Sequence, residues 1–597
     1  MTPILESIAL AAIAAVVPAS ISAQAAPSSA ETAHHSQPET KHSQLSMGFH
    51  RGHSMRAMLT MSATVVGQSS TVGAAGVRTV PLYEGLGKLA FEITTADPLA
   101  KRYFRQGLGF AYGFNHAGAI AAFRQAQQID PGCAMCWWGE ALARGPNINA
   151  PMEASVNART VAVANYAQWL ARTATPVEQA LTEALTKRYA TGTGVDRSAL
   201  DAAYADAMLA VAATHRTHDD VALLAAEAAM NTRPWDYWEA ATNAPKPRIG
   251  EAVRLVETVL ARNPDHPQAS HLYIHLMENG PDPKRAEEAA DRLATPLSPT
   301  LGHLVHMPAH IYYRVGRWKD SIRANVAAAR ADEAWIRQTG DRSLVRYGYY
   351  PHNVHFIVTS AQMSGEMPTA IREARRLERL LDPGISSQIA WIQAINAAPF
   401  FAAAQFAAPG TILAMPAPDA RLPYPTAMRF YARATAFARQ HNRRGFEAEL
   451  HKLRAVRQSA DLKPMIDQGV PAPDLLLLAE TIAQGRWSDA QGRFEESARH
   501  YREATVNEGR IPYMEPPYWY FPVHQSLGAA LYRAGRYTAA RDAFAVALEQ
   551  APNNGWALYG LAAAERALGR PEQAKAAAAA LDKAWSGDRR LLRMDRL

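Results

Sequence analysis

The segment from His266 to Met363 decides the fold, because histidines return along it at helical spacing. It contains HPQASHLYIHLME (residues 266–278), GHLVHMPAHIYYRVGRW (302–318) and YYPHNVHFIVTSAQM (349–363). In the first, His271, His275 and Glu278 stand at i, i+4 and i+7. In the second, His303, His306 and His310 stand at i, i+3 and i+7, and the third holds His352 and His355. At 3.6 residues per turn such positions share one face of a helix. His271 and His306 are 35 residues apart, as are His275 and His310. A period of this length belongs to a helix–turn–helix repeat, whose paired helices stack on their neighbours to build a solenoid.

Working outward, both ends of the chain carry the landmarks of one such unit, the tetratricopeptide repeat. That repeat asks for small residues near positions 8, 20 and 27, an aromatic at 24 and proline at 32. Gly107, Ala119, Phe123, Ala126 and Pro131 meet all five, and so do Gly528, Ala540, Phe544, Ala547 and Pro552. Gly492, Tyr501 and Ala504 mark the repeat before the latter. In the middle, Gly316 and Gly365 mark turns between paired helices, and Ala286 and Ala370 fall at position 20. The expected fold class is therefore all-α, a tetratricopeptide-repeat superhelix. Its expected parts are an N-terminal block over 81–383, an irregular connector over 384–425 and a C-terminal block over 426–597. The connector is drawn around AAPGTILAMPAPDARLPYP, where prolines and glycine interrupt any helical period.

Aligned on these landmarks, His271, His306 and His355 share repeat position 5, His275 and His310 share position 9, and His303 and His352 share position 2. These positions line the concave groove of such repeats. Imidazoles on packed helices about 8–10 Å apart can meet at one ion. The cluster is expected to hold a divalent transition metal, with zinc, copper or iron all compatible with histidine and one carboxylate. Glu278, at position 12, is a candidate ligand, a partner orienting a histidine, or a general base. Pro308 should kink the second helix between His306 and His310. The alternatives are a groove for an anionic ligand or a peptide partner, and a purely structural face. His116, His215, His218, His441, His451, His500 and His524 are read as structural.

The bulk properties set the frame. The 597 residues are 48% hydrophobic and 20% charged, an ordinary globular composition. The net charge of +7 is spread along the chain, so nucleic-acid binding is not read from it. An apolar run from Ile8 to Val17 followed by SISAQAA suits a signal peptide over residues 1–25, although the basic start is missing. The expectation is a periplasmic or secreted protein without an integral membrane domain. Residues 26–80 read as a disordered tail bearing histidines and methionines. The two cysteines, Cys133 and Cys136, form a lone CxxC, which admits a local disulfide, a redox pair or packed thiols. No nucleophile motif, phosphate loop or dinucleotide fingerprint fixes a reaction.

At YGFNHAGAIAAFRQAQQIDPGCAMCWWGEALARGPNINAPM, MNTRPWDYW, GHLVHMPAHIY, YYPHNVHF and EPPYWYFPVHQSLGAALYRAGR, the chain resembles a group of bacterial tetratricopeptide-repeat proteins. The resemblance covers roughly residues 80 to 570. It implies a helical solenoid, export and a shared histidine site, and it supplies no reaction.

Overall fold

The computed structural model describes residues 80–597 apart from Thr193 and Pro296. The expected signal peptide, and the expected tail up to residue 79, lie outside the described residues. Among the described residues the protein is all-α: helices follow one another from Pro98–Tyr112 to Pro571–Ala584, with a single isolated bridge between Trp238 and Pro245 and no strand. Each helix packs mainly on the next in sequence, the nearest-neighbour arrangement of a solenoid. No helix among the described residues is long and apolar enough to cross a membrane.

The landmark residues show why these sequences pair as helices. Phe123 is fully buried between Gly107 of its own unit and Gly139 of the next; a methyl group on either glycine would sit 2.7 or 2.3 Å from its ring. Phe544 lies between Gly528 and Gly560 in the same way, and Tyr501 fills the hole above Gly485. One aromatic knob thus locks each pair of helices and the following one, and only glycine leaves room for it.

The stretch over 384–425, expected as an irregular connector, is a run of short helices that includes Pro383–Gln388, Ala398–Phe406 and Pro409–Ala414. Their prolines cut the helical period into pieces too brief to register as repeats, while Phe400 and Phe401 are buried in the core.

Two hydrophobic cores result, one built mainly from residues 86–349 and the other from 309–597. Helix Pro308–Arg314 divides itself between them: Ile311 and Tyr312 face the first, Ala309 and Tyr313 the second. The solenoid also closes on itself. Gly316 (φ 75°) and Gly365 (φ 77°) make left-handed turns, as their place between paired helices requires, and the C-terminal repeats sit directly on those turns. A side chain at Gly316 would strike the Pro552 carbonyl, and one at Gly365 would strike Trp585. Trp318 donates to the Asn553 carbonyl (3.0 Å), Trp556 to the Gln362 carbonyl (2.8 Å), and the Ser586 N–H to the Ser364 carbonyl (2.9 Å).

If the aromatic knobs carry the packing, Gly560→Ala should cost about 1–3 kcal/mol, the usual range for overpacking a filled core. Gly569→Ala, whose Cβ would meet nothing but whose φ of 71° is left-handed, should cost about 1 kcal/mol. Urea denaturation of the two variants checks the order, and an equal or reversed ranking would refute the knob.

Candidate metal centre

Three segments deliver the histidines. Helix Pro267–Glu278 starts at a proline, buries its whole length and presents His271, His275 and Glu278 on one face. The second segment is split by Pro308, which cannot donate to the Leu304 carbonyl. Helix Gly302–His306 therefore ends and helix Pro308–Arg314 begins, with Met307 between them. The third is helix Tyr350–Ser364, entered through a π-helical turn over Val345–Tyr349. Asp332 helps to hold the second and third together: it is buried, accepts from the Asn353 amide at 2.7 Å, and lies so close to Gly302 that a side chain there would collide with it.

The structure brings six of the seven predicted histidines into two adjacent groups. His271, His275 and His303 form one; His306, His310 and His352 form the other. Within each group the candidate ligand atoms lie within 4.8 Å of one another. A third group joins Glu278, His310 and Glu515. His355 belongs to none of them. Sharing a repeat position did not bring His271, His306 and His355 side by side, because the break at Pro308 re-aims the middle segment. His271 meets His303 instead (Nε2–Nε2 3.2 Å), and His306 meets His310 (Nε2–Nε2 2.8 Å). Glu515 was not anticipated. It lies in the EPPYWYF string, but nothing local links it to a histidine 205 residues earlier.

Hydrogen-bond accounting fixes the tautomers. Asn325 donates its amide to the Ser321 carbonyl (2.8 Å), so its oxygen faces His306 Nδ1 at 2.6 Å and that nitrogen carries a proton. His310 Nδ1 lies 2.5 Å from Glu278 and 2.9 Å from Glu515, so it too is a donor. His275 Nδ1 donates to Glu278 (2.6 Å). Gln268 turns its amide nitrogen to Glu227 (3.3 Å), leaving its oxygen for His271 Nδ1 at 2.9 Å. With these rings neutral, Nε2 of each is left as an inward lone pair, and that of His275 has no hydrogen-bond partner among the described residues.

The contact between His271 and His303 is satisfied if neutral His303 carries its proton on Nε2. While Glu278 and Glu515 are both ionised, no pair of neutral rings satisfies the one between His306 and His310, because two lone pairs would then face each other at 2.8 Å. In that state a cation belongs between them, whether a proton or a metal ion. The electrostatics agree. Burial alone would lower His310, but Glu278 and Glu515 outweigh it and raise its pKa to about 10. Burial and neighbouring imidazoles hold His275, His303 and His352 well below the ordinary value, and burial with His310 does the same for His306. Burial takes His271 down to about 3. The same burial lifts Glu278 to about 7 against the pull of His310.

Between the two groups lies a cavity of ≈ 30 Å³, bordered by His275, His303, His310 and His352 together with Asn149 and Tyr349. That is room enough for a water molecule among polar side chains. Phe114 packs on His271, His275 and His303 with centroids at 4.7, 6.0 and 5.1 Å, and Trp235 packs edge-on against His275 at 4.9 Å. Tyr513 donates to Glu515 and so closes the carboxylate side. His116, read as structural, sits apart against Asn147 (2.9 Å). Cys133 and Cys136 are joined as a disulfide, fully buried.

Fold and site together define a helical-repeat protein with a buried histidine–carboxylate centre. Residues 531–592 match the family model of the tetratricopeptide repeat. No curated protein matches the sequence. Among solved structures, the chain is similar to a human IFIT1 dimer with PPP-AAAA, at 11% identity over 88% of this chain and 94% of that one, with a TM-score of 0.28. It is also similar to yeast Tom70, at 11% identity over 81% of this chain and 92% of that one, with a TM-score of 0.24.

Burial lifts the Asp332 carboxyl well above the ordinary carboxylate range, so the folded chain retains a proton that an unfolded chain releases near pH 4. The stability this group contributes is whole below that pH and is lost as pH rises through the folded pKa. Asp332→Asn keeps an acceptor for Asn353 and cannot ionise. Its stability should fall less steeply than the parent's between pH 4.5 and 8 in urea titrations. Parallel pH profiles would show that Asp332 is ionised in the folded protein.

Proposed function

We propose that this chain is an exported protein that binds a divalent transition metal through its histidine cluster. The observation that carries the reading is the opposed Nε2 pair of His306 and His310, each with its Nδ1 proton already committed. An ion takes the place of the proton that otherwise lies between them. The imidazoles of His271, His275, His303, His306, His310 and His352 supply the ligands, and zinc, copper and iron all suit them. Glu278 and Glu515 act from behind, orienting His275 and His310 and balancing the added charge. His306, His310 and His352, or His271, His275 and His303, would hold the ion, and a metal with three histidine ligands would supply Lewis-acid chemistry able to activate water.

A second reading, a scaffold for protein partners, draws on the match at 531–592, since tetratricopeptide repeats present surfaces to peptides. It requires a different face from the histidines, of which all but His352 among the six are buried. The resemblance to bacterial proteins sharing the histidine strings and the signal-like start support export. Mature protein should begin near Ala26, and Cys133 and Cys136 should resist alkylation until reduced.

Protein purified without a histidine tag should take up metal near stoichiometrically and release protons as it does so. His306→Ala should lower the affinity at least tenfold and His524→Ala should leave it unchanged, as read by a competing chelator. Because protons compete for the imidazoles, affinity should fall as the solution is made more acidic. Equal affinity in His306→Ala, or no uptake of zinc, copper or iron by the parent, would end the metal reading in favour of the scaffold.

A further inference from the structure

A second concavity lies in the C-terminal repeats, remote in sequence from the histidines, and it is large enough for a small molecule at ≈ 360 Å³. Five arginines line it: Arg439, Arg486, Arg533, Arg593 and Arg596. Two of them are neutralised locally. Arg533 pairs with Asp489, and Arg593 forms a two-pronged pair with Asp595 at 2.6 and 2.9 Å. The other three have no side-chain carboxylate within ion-pair distance among the described residues. Arg439 donates to the Ala407 carbonyl (2.8 Å), and Arg486 donates to the Ser526 hydroxyl and to a main-chain carboxylate oxygen of Leu597, the last residue of this sequence, which balances its charge. Arg596 keeps Nη1 buried without any hydrogen-bond partner.

Arg439 and Arg596, left without a negative partner, repel each other across the depression, and a buried guanidinium nitrogen without an acceptor costs free energy. Side chains of this length could turn outward to water. Arg439 is held in place by its bond to the Ala407 carbonyl, and Arg486 by its hydrogen bonds and its contact over the Phe521 ring. The floor adds neutral donors. Tyr431 and Tyr520 meet hydroxyl to hydroxyl at 3.1 Å, both rings buried, and Thr435 and Gln525 border the same space. Fixed guanidinium forks with spare N–H groups match the oxygens of phosphate and carboxylate.

We propose that this basin is a binding site for a small polyanion carrying phosphate or carboxylate groups, held by Arg439, Arg486 and Arg596. The ligand supplies the acceptor that Arg596 lacks and neutralises the surplus charge. The site is independent of the histidine cluster, and it is built from the last repeats together with the segment that follows them.

Isothermal titration of the full chain with pyrophosphate and with citrate, at matched ionic strength in chloride, tests this. At least one should bind saturably, with affinity falling as salt is raised. The tighter of the two identifies phosphate or carboxylate as the recognised group. Arg596→Gln and Arg439→Gln, which leave the Arg533 and Arg593 pairs intact, should each weaken binding at least fivefold without moving the unfolding midpoint. His306→Ala should bind the anion like the parent. Absence of saturable binding by both anions, or undiminished affinity in the Arg439→Gln/Arg596→Gln double variant, would overturn the proposal.

Discussion

Two carboxylates, Glu278 and Glu515, lie buried within hydrogen-bond distance of one imidazole nitrogen, His310 Nδ1. Negative charge out of water is tolerated only when positive charge is held against it. His310 supplies that charge, and its other nitrogen presses against His306. The constraint then spreads: His306 is fixed by Asn325, His275 by Glu278 and His271 by Gln268. The centre is thus a single electrostatic unit in which the protonation of one ring sets the tautomers of its neighbours.

The unit can persist because the solenoid closes around it. An open superhelix would leave the inner faces of its helices wet, and hydrated imidazoles would titrate near their ordinary value. Here the C-terminal repeats return to the turns at Gly316 and Gly365, while residues 84–86 bond back to Ser298 and Thr300. The histidines end up where the two hydrophobic cores meet, and helix Pro308–Arg314 serves both. Burial lowers the pKa of the other five rings, while Glu278 and Glu515 hold that of His310 above them.

Much of this was legible in the sequence. Period and landmark residues carried the fold, since a glycine facing an aromatic is a local rule that repeats wherever two helices pack. The histidine face was legible for the same reason, helical spacing being a short-range property. The exact grouping was not. Repeat position alone would align His271, His306 and His355, but the break at Pro308 turns the middle pair, and His355 is left outside. Glu515 was beyond reach, because no periodicity connects it to His310. The arginine basin was missed for a related reason: its arginines come from three helices and the C-terminal segment over 593–596, with no common spacing. The stretch over 384–425 looked irregular because its helices are shorter than the window in which a 3.6-residue period can be recognised.

The separation between His310 and Glu515 has a bearing on biosynthesis. A ribosome completes every histidine of the cluster long before it reaches residue 515, and domains generally fold in the order they emerge. A nascent chain of that length holds all the imidazoles but neither the second carboxylate nor the repeats that exclude water. The rings of His271, His275 and His303 can already be covered by Phe114, Trp235 and Tyr349, whereas His310 gains its second carboxylate only when the later segment has been made.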